Sequence, residues 1–455
     1  MTVPDLATDE IPDSEQGRRD AQVTYTDSEP GRAGDQAFAF DVAVVGLGYV
    51  GLPTSLAFHA AGRRVLGVDA SLRRLGVIAE ERADLVASDR RRLAAALGDP
   101  GFEMTSDPDR LSTAAAVLIA VPTPVDLYLV PDLRMLGSAC ETVVAAAVPG
   151  QVLLLTSTTY VGSTRDLLVA PLAARGLTAG RDVFVAFSPE RIDPGNTRHA
   201  QEDVPRVIGG VTPACAERAS AVLGSYARTL HVVPSPDAAE MTKLLENTFR
   251  AVNIALVNEF AEICQLMDVD VIDVIDAAAT KPYGFMPFFP GPGVGGHCIP
   301  CDPQYLLWQL RRDRLSAPVI EQAMAGISGR PHRVVSRIRE TLSDAGRGLA
   351  GARVLVVGVA YKPDVEDLRE SPALEVLAEL IADGVTAGYY DPRFPSVNLP
   401  DGASLIGIDD PVDFHADLVL VHTSHRDADL SWLAGQPLVL DATYRLRGLP
   451  NRVPL

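Results

Sequence analysis

Residues 38–70 read FAFDVAVVGLGYVGLPTSLAFHAAGRRVLGVDA. A β-branched apolar run meets Gly46-x-Gly48-x-x-Gly51, an apolar stretch of helical length follows, and a second β-branched run closes on Asp69. This order leaves few folds, because a strand, a tight turn, a helix and a returning strand build a parallel sheet covered on both faces. The glycines permit the turn, let the backbone approach a pyrophosphate, and let helix and strand pack closely. The helix N-terminus then offers free amides to phosphate oxygens. Asp69, 23 residues beyond Gly46, stands where a carboxylate binds a ribose diol and repels a 2′-phosphate. NAD is thereby favoured, with Arg73 and Arg74 leaving a 2′-phosphate as the alternative. The expected cofactor-binding residues are Gly46, Gly48, Tyr49, Val50, Gly51, Asp69, Arg74, Pro122, Thr123 and Thr158.

The same texture recurs. AAVLIAVPTP, VLLLTSTT and DVFVAFSPE continue the first sheet; GARVLVVGVAYKPD, VTAGYYDP, DLVLVHTS and PLVLDAT predict a second. Between them DAAEMTKLLENTFRAVNIALVNEFAEICQLMDV predicts one helix of nearly 30 residues, with Asp237 as N-cap and Glu240 three residues on. The expected fold is α/β, with two Rossmann-like doubly wound domains joined by a long central helix. Residues 1–37 are expected as a disordered acidic tail, 38–233 as the NAD-binding domain, 234–346 as a helical and dimerisation domain, and 347–455 as a second α/β domain. Across 455 residues the net charge of −19 argues against nucleic acid or an anionic membrane as partner. No apolar run reaches the length of a bilayer span, the N-terminus lacks a secretory pattern, and five scattered cysteines suit a reducing cytoplasm.

Two of those cysteines fall in FFPGPGVGGHCIPCDPQYL. Half a zinc site would need further ligands that Cys140, Cys215 and Cys264 do not supply, and no metal is expected. A redox CxxC should open a helix after a strand, whereas this one follows a glycine loop. A nucleophilic Cys298 in a backbone-lined pocket, with Asp302 in reach, fits better. Lys243 and Asn247 share a face of the long helix. Thr123 lies between two prolines, and Glu190 follows a strand end; on their own these residues are equally compatible with structural roles.

Taken in order, VVGLGYVGLP, VPTPV, SPER, the Lys243–Asn247 helix, GPGVGGHCIPCDP and GVAYKPDVEDLRESPALEV resemble the UDP-glucose/GDP-mannose dehydrogenase family from about Phe40 to the end. Within it, SPERIDPGN, LLENTFRAVNIALVNE and TKPYGFMPFFPGPGVGGHCIP are most similar to UDP-N-acetylglucosamine 6-dehydrogenases. UDP-glucose enzymes tend to carry an acid where Pro194 stands, and UDP-N-acetylmannosamine enzymes are the alternative. The resemblance implies four-electron oxidation of a UDP-sugar's primary alcohol with NAD, through a Cys298 thiohemiacetal and thioester. Lys243, Asp302 and Asn247 would handle the alcohol proton, Thr123 hold a water, and Glu190 serve thioester hydrolysis. Glu190, Arg191, Lys243, Asn247, Tyr283, Phe285, Phe289, Gly295, Lys362 and Arg369 would bind substrate, and a homodimer or larger assembly is implied.

Thr156 stands where many relatives have Glu, and Cys301 replaces an aliphatic or basic residue; oxidation is expected to join it to Cys298. A two-electron hydroxyacid or sugar-phosphate dehydrogenase would leave Cys298 and the second α/β domain without a role. A silent nucleotide-sugar-binding protein would be marked by loss of Cys298 or Lys243, and both are present.

Overall fold

The computed structural model describes residues 38–191, 200–296 and 298–455. The acidic tail, Pro194 and His297 lie outside them.

The first sheet comprises β1 (Phe40–Val45), β2 (Val65–Val68), β3 (Phe102–Thr105), β4 (Ala114–Ile119), β5 (Val152–Leu155), β6 (Phe184–Phe187), β7 (Arg206–Gly210) and β8 (Leu230–Val233). Their order is β3-β2-β1-β4-β5-β6-β7-β8. Along β1, Val42 and Val44 enter one buried cluster while Ala43 and Val45 enter another, so both faces are covered. The expectation of a wholly parallel sheet fails at one place, since β7 runs antiparallel to β6. Their connection holds only the short turn Gln201–Asp203 among its described residues, and the chain returns in the opposite direction.

The second sheet is parallel throughout, in the order β10-β9-β13-β14-β15. It uses β9 (Arg353–Val357), β10 (Thr386–Tyr390), β13 (Leu418–Val421), β14 (Val439–Asp441) and β15 (Arg452–Pro454), with a small hairpin of β11 (Ser396–Asn398) and β12 (Ser404–Ile406) beside it.

The two sheets repeat one hydrogen-bond scheme. Gly46 N–H reaches Val68 O at 2.8 Å, and Gly358 N–H reaches Tyr390 O at 2.9 Å. Leu47 N–H donates to Asp69 Oδ2 at 2.8 Å, and Val359 N–H donates to Asp391 Oδ2 at 2.9 Å. Any Cβ at Gly46 or Gly358 would strike the carbonyl of Ala120 at 2.5 Å or of Thr423 at 1.9 Å, so each turn is a glycine by necessity.

One helix, Pro236–Leu266, joins the halves over 31 residues, about 46 Å. Its Ala239 is buried in a core of the first sheet, while Val257, Ala261 and Cys264 are buried with the second. Its N-cap is Ser235, whose Oγ accepts from Ala238 N–H at 3.2 Å, not Asp237. Pro236 at the first helical position moves the start two residues earlier. Asp237 instead pairs with Arg165 at 2.6 Å, and buried Glu240 accepts from Gly162 N–H, Ser163 Oγ and the N–H and Oγ1 of Thr164. The helix start is thus bolted to the loop after β5.

Candidate active site

Register brings the ends of β1, β2 and β4 level: Val45 pairs with both Val68 and Ile119, so Gly46, Asp69 and Ala120 emerge at one sheet edge. The first-sheet order reverses here, where ligands of such sheets bind. A Cβ at Gly51 would sit 1.8 Å from Gly46 O, whereas nothing lies within 4 Å of one at Gly48, which leaves room above the turn. Val50 caps the following helix without a side-chain bond; Leu52 N–H turns back to Gly48 O at 3.2 Å and Pro53 carries no N–H, so Gly51 is the first-turn amide left to meet phosphate. Asp69 is half-buried, with Oδ2 on Leu47 N–H and Oδ1 on Ser71 N–H at 2.8 Å each. Those bonds hold it aimed while each oxygen keeps a second lone pair for a ribose hydroxyl. Arg74 Nε donates to Leu47 O at 2.7 Å, which braces the glycine turn. This cradle fits NAD. Thr156 Oγ1 folds back onto Ile119 O at 2.7 Å, while Thr158 is partly exposed beside it.

Cys298 begins the helix Cys298–Arg312. The expectation that the CxxC does not open a helix is therefore overturned, although a glycine loop and not a strand precedes it. The glycines have a packing cause. A Cβ would meet Pro372 Cγ at 2.7 Å from Gly293, Tyr361 Cβ and Glu370 O at 2.5 Å from Gly295, and the Tyr361 ring at 2.9 Å from Gly296. Gly296 N–H also donates to Arg369 O at 2.8 Å. The loop before Cys298 is thus pressed against the segment that follows β9. On its other side the helix is tied to the first sheet: Tyr305 OH donates to Thr123 O at 3.2 Å, and Gln309 exchanges two bonds with Val161 at 3.0 and 2.8 Å.

Asp302 lies one turn beyond Cys298 and is 1 % exposed. Asn247 Nδ2 donates to its Oδ2, whereas Oδ1 is buried with no partner. Burial pushes the Asp302 carboxyl up to about 6, against the pull of Lys243 and the Asn247 bond. The Cys298 thiol is likewise raised, by burial first and then by Asp302, with Lys243, Arg250 and Arg369 opposing. Lys243 Nζ donates to the Glu190 carbonyl at 2.9 Å. Cys298, Asp302, Asn247, Lys243 and Glu190 therefore converge from three separate elements, with Thr123 buried behind the cysteine helix.

Other candidates fall at its margins. Arg191 is engaged by Glu246 and by Pro205 O at 2.9 Å. Arg369 stacks on the Tyr49 ring at 4.1 Å and pairs with Asp367 at 2.6 Å, and so touches the cofactor turn as well as the second half. Lys362 belongs to the same loop. Tyr283 and Phe285 are exposed, and Phe289 lines a separate hollow with Tyr444 and Arg445. A cleft of about 300 Å³ runs between the halves, lined by Tyr49, Glu190 and Arg191 on one wall and Tyr361, Asp364 and Asp367 on the other.

Sequence reasoning missed Arg206. It is 3 % exposed, its Nη1 lies 2.8 Å from Glu190 Oε1, and its guanidinium sits 5.3 Å from the Tyr226 ring centroid. The available signal was a cation opening the buried run RVIGG, a placement that requires a partner.

Residues 40–227 match the NAD binding domain of the UDP-glucose/GDP-mannose dehydrogenase family, 237–326 its central domain, and 355–446 its UDP binding domain. The chain is 33% identical over 408 residues to an NDP-N-acetyl-D-galactosaminuronic acid dehydrogenase of Ralstonia solanacearum, covering 86% of this chain and 93% of that protein. It is 35% identical to a UDP-N-acetyl-D-mannosamine dehydrogenase of Yersinia pestis, covering 75% and 82%. A solved UDP-D-ManNAc dehydrogenase from Pyrococcus horikoshii superposes with TM-score 0.82 at 29% identity, over 91% of this chain and 98% of that one. The chain belongs to the UDP-glucose/GDP-mannose dehydrogenase family and is an NAD-dependent nucleotide-sugar dehydrogenase.

Proposed function

We propose that the chain oxidises C6 of a UDP-N-acetylhexosamine to the carboxylate, through a covalent intermediate on Cys298. The observation that carries the reading is the unpartnered, buried Asp302 Oδ1 one turn from the Cys298 thiol, with Lys243 and Asn247 beside it. NAD supplies the hydride acceptor in each of two oxidations. Asp302 as carboxylate takes the alcohol proton while Lys243 and Asn247 steady the oxygen. The Cys298 thiol then adds across the aldehyde C=O, sulfur to carbon and proton to oxygen, giving a tetrahedral thiohemiacetal. Its C–H leaves as hydride to the second NAD⁺ and its hydroxyl proton is lost, which yields a thioester. Water attacks that thioester with Glu190 removing its proton, the C–S bond breaks, and the thiol is reformed. The sum is alcohol, two NAD⁺ and water giving carboxylate, two NADH and three protons.

Two epimers compete. The loop before Cys298 resembles UDP-N-acetylglucosamine enzymes, whereas UDP-N-acetylmannosamine appears in the names of several relatives. NADH formation with both sugars and with UDP-glucose, in parallel, tests the reading. Two NADH per UDP-N-acetylhexosamine are expected, and Cys298→Ala should form no acid. One NADH per substrate, or full acid formation by the variant, overturns it.

The long helix also supports pairing of two copies. Met241, Leu245, Phe249, Leu256, Phe260 and Ile263 form an exposed apolar stripe at helical spacing. Light scattering should show a dimer that Leu256→Arg breaks; a monomeric wild-type chain rejects this.

A further inference from the structure

Asp391 holds, in the second half, the place that Asp69 holds in the first. Both accept from the second turn residue through Oδ2, and both accept from the amide two residues on through Oδ1, Ser71 at 2.8 Å and Arg393 at 3.0 Å. Their surroundings then diverge. Asp69 is half-buried, whereas the Asp391 side chain is wholly enclosed because the His425 ring covers it, Nε2 to Oδ2 at 3.2 Å. The space that a ribose would enter beside Asp69 is filled by imidazole beside Asp391.

The other ring nitrogen shows what the imidazole does there. Asp364 N–H donates to His425 Nδ1 at 2.9 Å. A backbone N–H can only donate, so Nδ1 carries the lone pair and the proton resides on Nε2, facing Asp391. Asp364 has φ 65°, in the left-handed region that few residues other than glycine, asparagine and aspartate adopt. Its Oδ1 in turn accepts from Arg426 N–H at 2.9 Å, and Arg426 and Arg393 supply its countercharge. Asp364 stands between Lys362 and Arg369, and Arg369 O accepts from Gly296 two residues before Cys298.

We propose that His425 is a positioning residue: oriented by Asp391, it grips the Asp364 amide and holds the 361–369 loop in the shape that receives the nucleotide half of the substrate. The proposal rests on the nucleotide-sugar reading given above.

Asn and Gln variants separate the two bonds. The Asn side-chain oxygen reproduces the Nδ1 acceptor, while the Gln amide reproduces the Nε2 donor and leaves Asp364 N–H unpaired. By calorimetry, UDP binding to full-length His425→Asn should stay within about twofold of wild type. His425→Gln should bind about tenfold more weakly, the factor that ~1.4 kcal/mol carries. A merely structural histidine predicts equal weakening in both variants, and that result, or unchanged binding in His425→Gln, overturns the proposal. Hydrogen exchange on the wild-type chain is the second arm and needs no variant. The Asp364 amide should be protected before UDP is added; exchange at the rate of an open loop, with protection appearing only with UDP, also overturns it. If the wild-type chain binds no UDP, the substrate reading itself fails.

Discussion

Asp302→Asn separates what the enclosed carboxylate does for chemistry from what it does to stability. The side chain is 1 % exposed, and burial lifts its pKa from 3.8 to about 6 although Lys243 and Asn247 favour the charged form. Two pKa units at ~1.4 kcal/mol each make the ionised state cost about 3 kcal/mol. Because the folded pKa is raised, the contribution of this group to stability is complete below about pH 4 and is lost as pH rises through 6. Asparagine keeps the acceptor for Asn247 Nδ2 and carries no charge at any pH. In urea titrations the variant should therefore match wild type near pH 4 and exceed it by roughly 1–3 kcal/mol at pH 8. Turnover should collapse at both, and the acid limb of wild-type kcat/KM should fall near pH 6. A pH-independent stability difference, or a variant weaker than wild type at pH 8, would refute the burial argument.

Arg206→Met should destabilise by about 3–5 kcal/mol, since it removes the buried cation that faces the Glu190 carboxylate, and adding Glu190→Gln should recover much of that in the same denaturation assay. The Arg206→Met protein should also accumulate acyl-enzyme, visible by mass spectrometry of quenched turnover. Gly296→Ala forces a Cβ onto the Tyr361 ring at φ 77°, and the left-handed conformation alone costs about 1–2 kcal/mol. Turnover should drop more than UDP affinity, read by kinetics and calorimetry side by side. Peroxide should link Cys298 to Cys301 with reversible loss of activity; Cys301 is 4 % exposed and its thiol is pushed up to about 12 by burial, so Cys298 is oxidised first. Activity lost and regained with dithiothreitol, but without that crosslink in peptide maps, rejects the pairing.

What could be read in the chain was what its neighbours in sequence determine. Gly46, Gly48, Gly51 and Asp69 fall within one βαβ unit, so spacing alone placed them. Lys243 and Asn247 were legible as polar residues on one face of an apolar helix. The start of that helix was misjudged because an acid three residues before a glutamate outweighed Pro236, which marks the first turn more strictly. Arg206 and His425 escaped because their meaning depends on contacts that no local pattern encodes. Arg206 meets Glu190 only because β7 turns back along β6, and His425 meets Asp391 across β9 of the second sheet. Likewise, the glycines before Cys298 suggested a backbone-lined pocket for the nucleophile. Gly293, Gly295 and Gly296 instead make way for Pro372, Tyr361 and Glu370, more than 60 residues away.

Cys298 is anchored in two directions, through Gly296 to the stretch after β9 and through Tyr305 and Gln309 to loops of the first sheet. A residue clamped from both sides is a pivot. If the halves swing apart to swap one spent nicotinamide for a fresh one, the point that travels least is the sulfur. On the covalent mechanism proposed above, a carbon tethered there would wait through the exchange almost motionless, and the second oxidation would begin where the first ended.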